Sequence, residues 1–184
     1  AFRELVESSS FLEKKHVIGT DEHGCPSENI SLFNTYHYTV FVPTNAAIKK
    51  LQDDGLLPTW ADVDAEEEYK AKLTEQIETF IKYHIQDNAF YIGQGNDGGE
   101  YETSAYKVEG GNLSYYKLKT TVSNDGITII DGAGKSHNVV KSNGLYNLMA
   151  REYQYDAGDA SRARNIYTSS NAVIHQIDGA LWYK

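Results

Sequence analysis

The hydrophobic spacing of this chain changes character near residue 88, and that change restricts it to one fold class. Before it, Tyr69, Leu73, Ile77, Ile81, His84 and Ile85 recur at steps of three and four, which predicts a helix over 65–85 with one buried face. After it, from 89 to 141, short β-rich runs alternate with turn signals at 93–99, Gly110-Gly111-Asn112, Asn124-Asp125-Gly126 and Asp131-Gly132. Asn-Asp-Gly between Thr120-Thr121-Val122-Ser123 and Ile127-Thr128-Ile129-Ile130 predicts a hairpin. Helices first and strands later is the α+β pattern, with helices of the N-terminal half packed against antiparallel sheet.

Other elements read as follows. Residues 2–15 are expected as a helix, with Phe2, Leu5, Val6 and Leu12 at helical spacing. Residues 19–37 read as a long irregular insertion. Tyr38-Thr39-Val40-Phe41-Val42 is a buried strand that stops at Pro43. Thr44 or Asn45 then caps a helix through Ala46, Ala47, Ile48 and Leu51, ended by Gly55. Asp64 and Glu67 have capping-box spacing for the long helix. Leu145, Leu148 and Met149 are expected to begin a short helix, and 156–164 a polar loop. Val173-Ile174-His175-Gln176-Ile177 is the last strand, followed by the apolar end Leu181-Trp182-Tyr183.

Composition narrows the function. The 184 residues fit a single domain, 1–184. Lys and Arg total 17 against 26 Asp and Glu, a net charge of −9 that opposes nucleic acid and anionic lipid. Cys25 is the only cysteine, so there is no internal disulfide and no thiolate metal cage. No apolar run approaches the roughly 20 residues that span a bilayer. The chain begins at Ala1 without a signal region and reads as a trimmed or mature fragment, with membrane attachment expected only through an anchor outside it.

No reaction is spelled out. The six histidines show no HExxH or HxH spacing. His84 and His175 sit in apolar patterns and read as satisfied core histidines rather than metal ligands. His23-Gly24-Cys25 lacks an oriented base and an oxyanion site. The acidic stretches 96–100 and 156–159 fail the EF-hand pattern. No catalytic set, cofactor or metal is expected. Fourteen tyrosines suit protein and sugar surfaces as well as a β-rich core, and Tyr153 and Tyr155 share one face if their stretch is extended. The sequons at Asn29 and Asn112 matter only on a eukaryotic secretory route.

Three segments carry a resemblance. Residues 38–48, Tyr-Thr-Val-Phe-Val-Pro-Thr-Asn-Ala-Ala-Ile, resemble the first signature of fasciclin (FAS1) domains, T-x-F-A-P-T-[DN]-x-A-F, through Thr39, Phe41, Pro43, Thr44 and Asn45. Val42 stands for the usual Ala and Ile48 for the usual Phe. Residues 169–178 resemble the second, A-T-N-G-V-I-H-x-I-D, through Asn171, Val173, Ile174, His175, Ile177 and Asp178. Tyr83-His84 matches the family's Tyr-His pair. A typical FAS1 domain is shorter, and the extra length is placed near 19–37, 93–112 and 142–165.

The resemblance implies a wedge or sandwich of antiparallel sheets with helices against it. It also implies a non-enzymatic adhesion module, extracellular or on the cell surface, binding a protein or glycan. The single cysteine, the acidic charge and the insertions favour a bacterial surface lipoprotein, lipid-anchored on the outer membrane. In animal relatives the Tyr-His region is implicated in integrin binding, which makes Tyr83 and His84 candidate contacts here. The alternative is a glycan-binding accessory protein using the inserted loops, with Tyr153 and Tyr155 as contacts. A hydrolase or other enzyme is the remaining class.

Overall fold

The computed structural model describes residues 1–14, 28–30, 38–141, 146–150 and 172–184. Its elements run α1 (Phe2–Glu7), β1 (Leu12–Lys14), β2 (Glu28–Ile30), β3 (Tyr38–Val42), α2 (Asn45–Asp53), α3 (Trp60–Ala65), α4 (Lys70–Tyr83), β4 (Ile85–Asp87), β5 (Asp97–Glu109), β6 (Asn112–Val122), β7 (Ile127–Ile130), β8 (Ser136–Val140), β9 (Leu148–Ala150) and β10 (Ala172–Ile177).

The first helix is shorter than the spacing predicts. It stops at Glu7 because Ser9 turns its hydroxyl back onto the Val6 carbonyl at 2.6 Å and accepts the Phe11 N–H, which competes with further helical bonds. Leu12 instead enters β1, which pairs with β2 in a small separate sheet. The periodic stretch 65–85 divides as well. The capping box lies at Thr59 and Asp62, not at Asp64 and Glu67, and it opens α3. A second helix, α4, begins at Lys70, and Ile85 leaves it for the sheet. Residues 148–150 form a strand rather than a helix start, because they find Ala172–Ile174 as a ladder partner.

Seven strands close into a barrel-like sheet in the order β3-β4-β5-β6-β7-β8-β10, with β10 returning to β3. This differs from the wedge or sandwich of antiparallel sheets expected above. The closing pair is parallel, Tyr38↔Ala172 through Val42↔Gln176, whereas the other barrel ladders are antiparallel. Closure removes the sheet edges that an open sandwich leaves. β9 shares with β8 the other side of β10.

Alternation along the strands sends side chains to two cores. Val40, Ile85 and Ala172 pack outside the barrel against Phe2, Leu5, Ile48, Val63, Ile77, Phe80 and Ile81 of the four helices. Phe41, Leu118, Val122, Ile127, Ile129 and Ile177 fill the interior. Each such side chain contributes about 1.5–3 kcal/mol on burial.

Much of 93–112 is strand. β5 and β6 pair from Asp97↔Val122 to Glu109↔Asn112, interrupted by a bulge between Glu102 and Tyr106. The turn has only Gly110 and Gly111, at φ 58° and 81°, a two-residue connection that needs positive φ at both positions. β4 meets β5 only at Gln86↔Thr103, and β7 meets β6 only over Lys119–Val122, so the distal half of the hairpin extends past its neighbours as an arm.

Thr39, fully buried in β3, donates its hydroxyl to the Asn88 carbonyl at 2.8 Å and accepts the Phe90 N–H at 3.0 Å. Thr39→Val keeps the shape and strands both backbone groups. The expected loss is about 1–3 kcal/mol, read as a lower urea midpoint with unchanged slope.

Candidate functional site

The Tyr-His pair closes α4 and is wholly interior: Tyr83 and His84 are both 0% exposed. The Tyr83 hydroxyl accepts the Gly132 N–H at 2.8 Å and donates to the Lys117 carbonyl at 3.3 Å. Burial pushes its phenol up to about 12. His84 donates from Nδ1 to the Phe80 carbonyl at 2.8 Å and accepts the Leu181 N–H on Nε2 at 3.1 Å. Burial holds its imidazole neutral down to about 4. Direct contact with a partner needs exposed atoms, and these side chains have none. On the folded domain they tie α4 to the β7–β8 turn, to β6 and to the C-terminal segment, which corrects their expected role as contacts.

A second buried polar group lies beside them. Asp131 accepts His137 Nε2–H and the Trp182 N–H on Oδ2, each at 3.0 Å, and the Lys135 N–H on Oδ1 at 2.8 Å. His137 Nδ1 lies 3.9 Å from Asp178 Oδ1. Neither Asp131 nor Gly179 is singled out by sequence motifs. The local signal is Asp131-Gly132, read above only as a turn. Asp131 opens that turn, and its side chain bonds the turn's own backbone. A His-Asp pair is half of a nucleophilic triad. His137 is 1% exposed, however, and among the described residues no hydroxyl or thiol bonds to it. Among the described residues, no group of three or more His, Cys, Asp or Glu is placed to hold a metal.

The signature residues fall along one seam. Phe41 and His175 stack inside the barrel with ring centroids 6.4 Å apart. His175 Nε2 donates to the Phe90 carbonyl at 2.8 Å, burial lowers its pKa, and its Nδ1 has no partner among the described residues. Val173 and Ile177 face inward, and Ile174 lies in the outer core. Pro43 is buried at the strand end, Thr44 caps α2 by accepting the Ala47 N–H at 3.2 Å, and Asn45 begins that helix on the surface. Asp178 accepts the Asn138 N–H and side-chain amide at 2.9 and 3.2 Å, and so holds β10 to β8. Tyr153, Tyr155 and Asn171 lie outside the described residues.

The arm carries an exposed apolar face of its own. Tyr106, Val108, Leu113 and Tyr115 are 45%, 62%, 53% and 44% exposed, and the register Tyr106↔Tyr115, Val108↔Leu113 puts all four on one face. The Lys82 ammonium joins this face to the helices, 5.0 Å from the Phe11 ring and 5.1 Å from the Tyr106 ring.

Two outcomes follow from this packing. A Cβ on Gly179 would stand 2.6 Å from His137 Nδ1, whereas one on Gly126 would meet nothing within 4 Å. Gly179→Ala is expected to lower stability by about 1–3 kcal/mol, with Gly126→Ala within about 0.5 kcal/mol of the parent in the same urea titration. The second outcome concerns pH. His84 titrates near 6.5 when unfolded and about 4 when folded, so the unfolded chain binds the extra proton between those values. This contribution to stability is complete above 6.5 and is lost as pH falls toward 4, with His175 acting in the same direction. The urea midpoint should drop between about pH 7 and about pH 5; a constant midpoint would contradict the neutral core histidines.

None of the curated proteins compared with the chain matches it. The model of the Fasciclin domain matches residues 27–183, from β2 to the C-terminal segment that His84 and Asp131 hold. With its two signature strands side by side and its Tyr-His pair buried beneath them, this chain belongs to the fasciclin domain family.

Proposed function

We propose that the domain is an extracellular, non-catalytic adhesion or binding module whose partner is a protein or a glycan. Fasciclin domains are typically extracellular or secreted modules of this kind. Among the described residues no helix is long and apolar enough to cross a membrane, and attachment is read as made through a lipid anchor, on a bacterial outer membrane, rather than by the domain itself.

The observation that carries this reading is where the polar chemistry goes. Tyr83, His84, Asp131, His137 and His175 are all buried and bond to backbone or to one another, so these groups hold the fold rather than face an open cleft. Among the exposed apolar side chains, Tyr106, Val108, Leu113 and Tyr115 share one face of the arm, in reach of a partner. The net charge of −9 argues against a nucleic-acid partner.

A binding screen of the immobilised domain against extracellular-matrix proteins and glycans tests this. Tyr83→Phe removes the buried hydroxyl while leaving every exposed side chain in place. Binding is expected to be the same for both proteins wherever circular dichroism shows the variant folded. Binding lost in folded Tyr83→Phe would return the contact to the Tyr-His pair, and turnover of an ester or glycoside substrate by the parent would overturn the non-catalytic reading.

A further inference from the structure

The distal half of the β5–β6 hairpin has open edge on both sides, since β4 meets β5 only at Gln86↔Thr103, but the β5 side carries the bulge and the β6 side is regular. β6 is paired to β5 along its length but to β7 only from Lys119 onward, so among the described residues 112–118 have no ladder partner on that side. Two side-chain bonds orient its backbone. The Tyr116 carbonyl accepts the Thr103 hydroxyl at 3.0 Å, from the β5 side. The Lys117 carbonyl accepts the Tyr83 hydroxyl, which also receives the Gly132 N–H of the β7–β8 turn and so lies on the other side. The N–H and C=O of one strand residue point the same way, and neighbours alternate. Leu113 and Tyr115 therefore present both backbone groups to the open edge, while Asn112, Ser114 and Tyr116 are committed to β5. The two-residue turn requires the same phase, because it makes Glu109↔Asn112 a bonded pair.

We propose that two copies of this chain pair through this edge, β6 antiparallel to β6 about a twofold axis at Ser114. Leu113 exchanges its backbone bonds with Tyr115 of the second copy, and Tyr115 with Leu113. Ser114 faces Ser114 at the axis in a close, non-bonded pair. The apolar face is then continuous across the axis, Leu113 lying against Tyr115, with Tyr106 and Val108 flanking them in a β5-β6-β6-β5 sheet.

Self-complementarity favours a second copy over an unrelated strand: in this register apolar side chains meet apolar ones and the small hydroxyls meet each other, as an isologous contact requires. Charge selects the arm as the place of contact: the chain carries −9, which opposes close approach of two bodies, whereas residues 104–118 hold only the charges of Lys107, Lys117 and Glu109, so pairing arm to arm keeps the acidic bodies apart. The free stretch also lacks the edge protection that monomers use: it has no proline, its bulge is on β5, and its one lysine is at its barrel end.

Sedimentation velocity of the parent from micromolar to millimolar concentration should show a monomer–dimer equilibrium. Leu113→Pro removes an N–H that serves only the open edge, where proline is tolerated, and should weaken dimerisation by roughly tenfold or more while circular dichroism stays unchanged. Ser114→Cys, made with Cys25→Ser, should form a disulfide-linked dimer on mild oxidation, since close antiparallel pairs place Cα atoms about 4.5 Å apart, within disulfide reach. Lys107→Cys in the same background should not. The cross-link decides if Leu113→Pro fails to fold. A parent that stays monomeric throughout, or a dimer that neither forms the Ser114 cross-link nor responds to folded Leu113→Pro, overturns the proposal. These readouts use no foreign ligand, so their failure leaves the adhesion reading standing.

Discussion

The parallel pairing of β3 with β10 is the constraint on which the rest of this structure depends. It joins Tyr38–Val42 to Ala172–Gln176 and converts a row of strands into a closed ring. Both cores are built on it. Phe41 and His175 meet on its inner side, and Val40 with Ile174 forms part of the floor on which the helices rest. The two signatures that carry the family resemblance are thus two halves of one structural unit. Their side chains serve mainly as strand, stop and cap.

Closing the ring leaves its end to be sealed, and buried polar groups do this. The segment after β10 crosses the end of α4, where His84 takes the Leu181 N–H and Asp131 takes the Trp182 N–H, while Tyr83 takes Gly132 from the adjacent turn. A buried backbone donor without a partner costs about 1–3 kcal/mol, so each of these side chains answers a need created by the chain path itself. Tyr83 and His84 both take part in this sealing, while the exposed apolar face of the arm lies apart from it.

Local features were legible in the sequence where one segment decides its own conformation. Asn124-Asp125-Gly126 marks the β6–β7 hairpin, Thr44 caps its helix, and Pro43 ends its strand. Boundaries failed where a side chain redirected the backbone: Ser9 stops α1, and Thr59 with Asp62 starts a separate helix inside an apparently continuous period. Closure was not legible, because the ladder that makes it joins residues more than a hundred positions apart and neither strand encodes the choice of a parallel neighbour. The Asp131–His137 pair and the need for Gly179 were hidden for the same reason, as each depends on a contact made only when β8, β10 and the last residues come together. The glycine-rich punctuation around 93–112 also hides a long strand, in which Tyr101, Thr103 and Ala105 face the barrel.

The position of the seam in the chain also has a consequence for the order of folding. Its two halves, β3 and β10, enclose the helices and the other barrel strands between them, and the segment that His84 and Asp131 capture follows β10. Helices and the β5–β6 hairpin can form on their own, since their contacts are local, but the ring closes only through a ladder between residues more than a hundred positions apart. Such a contact carries the loop-closure cost of everything between its strands. Closure is therefore the late, decisive step of folding, and a chain that has not made it keeps open strand edges.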